Sequence, residues 1–194
     1  MGNREDRIFI SKALTLAEAG KGAVSPNPKV GCVLVKNGKI IGEGYHKKFG
    51  GKHAEVVAIQ KAGRGLAGST AYINLEPCCI EGKTPPCTKT LIENKIKKVV
   101  ISMLDPNPKI KGKGVQELKK NGIEVLSGIF EIQARELNKG FIKWITKGIP
   151  WVIGKAAQSF NGYLGMDSSS QTRITTSNAK RMFIVCALVL TVYW

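Results

Sequence analysis

Two short stretches carry the residue types that can do chemistry. His53-Ala54-Glu55 supplies an imidazole and a carboxylate, and Pro77-Cys78 with Pro86-Cys87 supplies two thiolates with eight residues between them. A hydrolytic zinc centre requires that set: three protein ligands, a fourth position left to water, and a nearby group that moves protons. A purely structural zinc needs a fourth protein ligand instead, and Cys79 and His46 are the candidates for it. Cys32 lies within the apolar run 30–35, and Cys186 lies within the apolar tail. Cys79 follows Cys78 directly, so on an extended backbone its side chain points the other way. The open arrangement is therefore the expected one, with a single zinc ion on His53, Cys78 and Cys87 and with Glu55 beside it.

The elements that must hold these residues follow from periodicity and turn signals. Ile10, Ala13, Leu14 and Ala17 fall at helical spacing over residues 6–19, and Gly20-Lys21-Gly22 ends that helix. Ser25-Pro26-Asn27-Pro28 is a rigid turn. It leads into a strand over 30–35, a hairpin at Asn37-Gly38 and a returning strand over 39–46. A helix over 53–62 opens on His53 and Glu55, which fixes their backbone at its start. A strand over 70–75 delivers Cys78 just past its C-terminal edge, where open α/β sheets tend to bind ligands. A helix over 87–94 begins at Cys87, and the positive end of a helix favours a thiolate. Then come a strand over 98–103, the turn Asp105-Pro106-Asn107-Pro108, a helix over 114–120, an extended segment over 123–126 and one long helix over 129–146. Strands alternating with helices predict an α/β domain with helices on both faces of the sheet, closing near Gly148. From Pro150 a new strand over 151–154 opens a second unit, too short to form a core of its own.

The 194 residues are 43% apolar and 23% charged, the balance of an ordinary globular chain rather than a disordered or fibrous one. Net charge is +16, yet the lysine pairs (Lys47-Lys48, Lys97-Lys98, Lys119-Lys120) are scattered and form no long run. Nor do aromatics interleave with them, as they do in a platform for single-stranded nucleic acid. The expected partner is thus a phosphorylated small molecule, with no nucleic acid and no membrane. Residues 1–6 are polar and unlike a secretory leader, and the apolar stretch 182–194 is too short to cross a bilayer as a helix. A cytoplasmic protein with reduced thiols is expected.

Several motifs taken together resemble one family. They are Pro26-Asn27-Pro28-x-Val30-Gly31, Gly44-x-His46, His53-Ala54-Glu55, Glu76-Pro77-Cys78, Gly82-Lys83-Thr84-Pro85-Pro86-Cys87 and Asp105-Pro106-Asn107-Pro108. His-x-Glu followed by Pro-Cys and a second Cys is the signature of zinc nucleobase deaminases, in which the Glu is acid and base and not a ligand. The long gap between the cysteines narrows the resemblance to the deaminase half of the bifunctional riboflavin-biosynthesis deaminase/reductase, in the cytidine-deaminase-like superfamily. It covers residues 1–148. The resemblance implies a three-layer α/β/α domain with a mixed sheet and one zinc ion per chain on His53, Cys78 and Cys87, with Glu55 as catalytic proton shuttle. The reaction it implies is hydrolytic deamination of a diaminopyrimidinone carrying a phosphoribosylamino group, giving the aminouracil and ammonia. It further implies substrate contacts at Asn27, His46 and Lys83. An Asn amide held in a rigid turn can both donate to and accept from a ring edge, and a lysine between the two cysteines suits a carbonyl or a phosphate. Two other readings stay open: a deaminase of another nucleobase, free or in nucleic acid, and a non-catalytic module kept for assembly.

From residue 149 the resemblance continues into the opening of the family's NADP-dependent reductase and then fades. Ala157-x-Ser159-x-Asn161-Gly162 follows that pattern with Asn161 where Asp is usual, and Arg173-Ile174-Thr175 replaces Trp-Ile-Thr. The expected division is a deaminase domain over 1–148, a truncated reductase start over 149–181 and an apolar tail over 182–194. Ala157 would mark a vestigial NADP site, NADP being a cofactor only of a complete reductase domain, and reductase activity is not expected from this chain. The tail reads as an out-of-frame continuation of a reductase gene, the alternative being a genuine apolar C-terminus. A homo-oligomer and a separate reductase chain are both left open as assemblies.

Overall fold

The computed structural model describes residues 2–81 and 85–154. β1 (Gly31–Lys36) pairs antiparallel with β2 (Lys39–Tyr45) on one side and with β3 (Thr70–Leu75) on the other. β4 (Lys98–Met103) and β5 (Glu124–Ser127) extend the sheet in parallel, giving the order β2-β1-β3-β4-β5. The first hairpin turns on Asn37 and Gly38, both at positive φ, as a two-residue primed turn requires.

Alternate side chains of the inner strands feed two cores. Leu34, Ile73 and Ile101 pack with residues of α2 (Ala54–Ala62), α3 (Cys87–Glu93) and α4 (Lys113–Lys120). Val33, Tyr72 and Val100 pack on the other face against α1 (Arg4–Glu18), and Ala134 of α5 (Glu131–Leu137) joins that side through Leu14. The expected three-layer α/β/α arrangement with a mixed sheet is therefore formed. Burial on both faces explains why the central strands are almost continuously apolar.

The contact that sets the depth of the site is α2 against β2. A Cβ on Gly44 would lie 2.4 Å from the Ala54 carbonyl oxygen, and one on Gly42 would lie 2.3 Å from that of Ala58. Lacking side chains, these two glycines let the helix backbone rest directly on the strand.

α1 starts earlier than periodicity predicts because Asn3 and Asp6 form a capping box, each accepting the other's backbone N–H. Asp6 is buried and also accepts from the Tyr72 hydroxyl at 3.1 Å and from Lys98 Nζ at 3.3 Å, which ties the helix to the sheet.

Two expectations are corrected. The long helix over 129–146 is two helices, α5 and α6 (Lys139–Lys147), broken at Asn138 with φ −109° and ψ 18°. Asn138 is 2% exposed. Its side chain accepts from the Lys29 N–H at 2.8 Å and donates to the Lys29 carbonyl at 3.0 Å, so a tertiary hydrogen-bond pair overrides helical continuity. The strand over 151–154 is not formed. A strand requires a ladder partner, and none of the five described strands pairs with this segment. Trp151 instead lies against α6, with Lys139 Nζ 5.2 Å and Lys143 Nζ 5.4 Å from its ring centre. Expectations for Lys83, Ala157 and residues 155–194 fall outside the described residues. No helix among the described residues is long and apolar enough to cross a membrane.

Candidate active site

His53 caps α2 with extended backbone, φ −70° and ψ 158°, which turns its ring away from the helix and towards α3. Cys78 follows β3 by three positions, and its carbonyl accepts from the Thr88 N–H at 3.2 Å and the Thr88 hydroxyl at 3.3 Å. Cys87 is the first residue of α3. His53 Nδ1 lies 3.0 Å from Cys87 Sγ and 3.5 Å from Cys78 Sγ, and all three donor atoms fall within 4.8 Å of one another. Tetrahedral zinc with ordinary Zn–S and Zn–N bonds spaces such atoms about 3.5–3.8 Å apart. The donor set therefore fits one zinc ion after shifts of a few tenths of an ångström. Among the described residues no fourth His, Cys, Asp or Glu joins the group, Cys79 included, so the closed four-ligand alternative is not formed.

Hydrogen bonds from Cys87, and then from His53, hold the Cys78 thiol well below its ordinary pKa despite burial. Sharing that hydrogen bond with Cys78, together with burial, raises Cys87. The hydrogen bond to Cys78 also raises His53. Glu55, in the first turn of α2, is 3% exposed. Burial pushes its pKa up, the Cys78 charge adds to this, and His53 opposes it. A carboxyl whose pKa is raised in this way holds a proton more readily than a solvated one, which suits it to take a proton and return it.

A cavity of about 320 Å³ opens beside this group, with His53, Glu55 and Cys78 at one end and Phe141, Trp144 and Ile145 of α6 forming an apolar wall. Asn27 and His46 line it as well. His46 is buried, and its Nδ1 lies 3.0 Å from the Lys52 carbonyl, to which it must donate. Its Nε2 then accepts from Asn27 Nδ2 at 3.1 Å, a tautomer assigned from this network. Burial lowers the His46 pKa, which keeps the ring neutral at pH 7. The amide of Asn27 is thereby oriented, with Oδ1 the atom that remains to accept a hydrogen bond.

The structure thus brings His53, Glu55, Cys78, Cys87, Asn27 and His46 together, while Lys83 and Ala157 lie outside the described residues. It also shows supporting residues that sequence reasoning missed. Asn74 accepts from the Gly31 N–H at 2.8 Å and donates to the Lys29 carbonyl at 2.9 Å, so Asn74 and Asn138 together hold the main chain just after Asn27. The buried Glu76 carboxylate accepts backbone N–H groups of Asp105 (3.0 Å), Gly112 (2.9 Å) and Val115 (3.0 Å), which fixes the segment after β4 beside Pro77-Cys78. Asp105 and Asn107 of that segment line the cavity, and burial raises the Asp105 pKa to about 6. A signal was available for Asn74, a lone amide inside the apolar strand run 71–75. For Asn138 the signal was weak: an Asn two residues before Gly140, inside an otherwise helical pattern, is a possible helix end but names no partner.

Fold and site together define a zinc-binding deaminase domain. The family model for the cytidine and deoxycytidylate deaminase zinc-binding region matches residues 3–103, and the chain belongs to that family. Within it, the riboflavin biosynthesis protein RibD of Aquifex aeolicus (strain VF5) is 46% identical over 177 residues, which are 91% of this chain and 50% of that protein. The diaminohydroxyphosphoribosylamino-pyrimidine deaminase of Buchnera aphidicola subsp. Schizaphis graminum (strain Sg) is 51% identical over 146 residues, 75% of this chain and 99% of that relative. The solved structure of Acinetobacter baumannii RibD, form 1, superposes with a TM-score of 0.89 at 45% identity, covering 96% of this chain and 52% of that one. The match is to the deaminase half of RibD, and the chain spans about half the length of the RibD relatives.

Proposed function

We propose that this chain hydrolytically deaminates 2,5-diamino-6-(5-phosphoribosylamino)pyrimidin-4(3H)-one to the corresponding aminouracil and ammonia, a step of riboflavin biosynthesis. The observation that carries the reading is the group of His53, Cys78 and Cys87 with the buried Glu55 facing the same cavity. The full-length match to a relative named for this deamination supports the choice of substrate.

In this reading His53, Cys78 and Cys87 hold one zinc ion. Bound there, zinc supplies a Lewis acid that brings the pKa of a water molecule towards neutrality. Glu55 takes a proton from the attacking water as its oxygen bonds to the ring carbon, and passes a proton to the ring nitrogen. Glu55 then takes the second proton from the hydroxyl now on that carbon and gives it to the departing amine as the C–N bond breaks and the carbonyl forms, so one water is consumed and one ammonia leaves. Asn27 Oδ1 accepts from an N–H on the ring edge, and His46 holds that amide in place. Lys83, between the two cysteines in sequence, adds a cation for a carbonyl or phosphate of the substrate. Residues 149–181 correspond to the opening of the reductase, with Ala157 at a remnant of its NADP site. An alignment of 177 residues, which must run past residue 148, supports this.

Ammonia release from the diaminopyrimidinone phosphate by the zinc-loaded chain tests the proposal. Glu55→Gln should keep its zinc and lose activity by roughly 10²–10⁴-fold. A wild-type protein that deaminates cytidine, dCMP or a tRNA adenosine and leaves the diaminopyrimidinone untouched would overturn it.

A further inference from the structure

A second cavity, of about 230 Å³, adjoins the first and shares Asn27 and Phe141 with it. Three lysines from separate parts of the chain line it: Lys21 from the turn after α1, Lys29 from the segment before β1, and Lys139 from the start of α6. The one carboxylate on this lining, Glu136, is already paired with Lys139. Lys21 and Lys29 form no ion pair among the described residues. Lys29 is half-buried. Burial and then the neighbouring Lys21 lower its pKa, with Glu18 opposing and Lys139 adding to the effect. The cavity therefore holds an excess of positive charge in partly desolvated space, where an anion would relieve both the repulsion and the lost hydration. Its volume is many times the roughly 10–15 Å³ that one water needs.

We infer that this cavity is the phosphate cradle of the substrate: a phosphomonoester sits among Lys21, Lys29 and Lys139 while the attached ring reaches past Asn27 into the metal-site cavity. The identity of the anion rests on the proposed function, since that substrate carries its phosphate on a ribosyl arm. The arrangement separates support from recognition. Asn74 and Asn138 grip only the main chain of Lys29. Its side chain can therefore be exchanged without releasing the turn that presents Asn27.

Calorimetric titration of the zinc-loaded full chain with ribose 5-phosphate and with ribose tests the cradle without turnover. Ribose 5-phosphate should bind at least about tenfold more tightly than ribose, and that preference should weaken as salt rises. Lys29→Ala should lower the affinity for ribose 5-phosphate by about tenfold, Lys21→Ala by less, and Lys29→Arg should restore most of it. In the ammonia assay Lys29→Ala should raise KM and leave kcat in place. Equal binding of the sugar and its phosphate, or a Lys29→Ala variant that binds ribose 5-phosphate like the wild type, would remove the cradle. The two readings fail separately. Phosphate binding that depends on Lys29 without ammonia release removes the proposed reaction, and ammonia release indifferent to Lys29 removes the cradle.

Discussion

His53 and Cys87 meet across 34 positions of chain, whereas Asn138 meets Lys29 across 109. The candidate metal group is assembled from a helix cap, a strand end and a helix start that follow one another closely in sequence. The opposite wall of the cavity joins the segment before β1 to α6, near the other end of the described chain. Two buried asparagines hold that wall through main-chain hydrogen bonds, and no charge takes part in the clamp. The comparison teaches that the chemistry rests on local motifs, while the fit to a substrate depends on a long-range closure.

Breaking the first region should have the largest effect. Cys87→Ser or His53→Ala is expected to drop zinc content from one per chain to a trace and ammonia release to the uncatalysed background. A chelator should do the same, and added zinc should reverse its effect but not that of the substitutions. Circular dichroism should change little, because the apolar cores on both faces of the sheet do not include His53. Retained zinc in either variant would move the metal group elsewhere.

Breaking the second region should give a different signature. Asn138→Ala strands the Lys29 N–H and should cost about 3 kcal/mol in chemical denaturation. Zinc content should hold while KM rises more than kcat falls. Loss of zinc in parallel would mean that the two regions are not separable.

Asp105 sharpens the comparison through pH. Its carboxyl titrates near 6 in the fold against an ordinary value of 3.8, so the folded state holds the proton more tightly than the unfolded chain. Its favourable contribution is complete below about pH 4 and is lost as pH rises through 6. In zinc-free protein, Asp105→Asn should therefore gain stability relative to wild type between pH 4 and 7, by on the order of 2 kcal/mol. Urea midpoints across that range check the sign, and parallel curves for the two proteins would contradict it.

The smallest effect is expected far from both regions. Asp6→Asn keeps a cap acceptor but gives up the charge-assisted bond from Lys98, and should cost about 1 kcal/mol with zinc and KM unchanged. A change in KM would tie the α1 anchor to the cavity.

Most of the scaffold was legible because its signals are local. Asn37-Gly38 specified the hairpin, apolar runs marked β1, β3 and β4, and Pro86-Cys87 opened α3. Those signals failed where a distant partner decides. The helical pattern of 129–146 continues past Asn138, and among the described residues it is the Lys29 main chain that holds the Asn138 side chain where the helix breaks. Trp151-Val152-Ile153 has strand-like composition, yet the aromatic ring packs on two lysines of α6. Asp105 and Asn107 were visible as a turn, but their place on the cavity wall depends on the three backbone bonds that Glu76 accepts.

By itself, then, the amino-acid order determined which groups could do chemistry and which short elements carry them, since caps, turns and strand ends are set within a few residues. Only the folded chain decided that Asn27 faces Glu55 across one cavity and that three distant lysines share another. Those placements depend on buried hydrogen bonds and glycine-thin helix–strand contacts between residues far apart in the chain, and sequence spacing carries no information about which such pairs form.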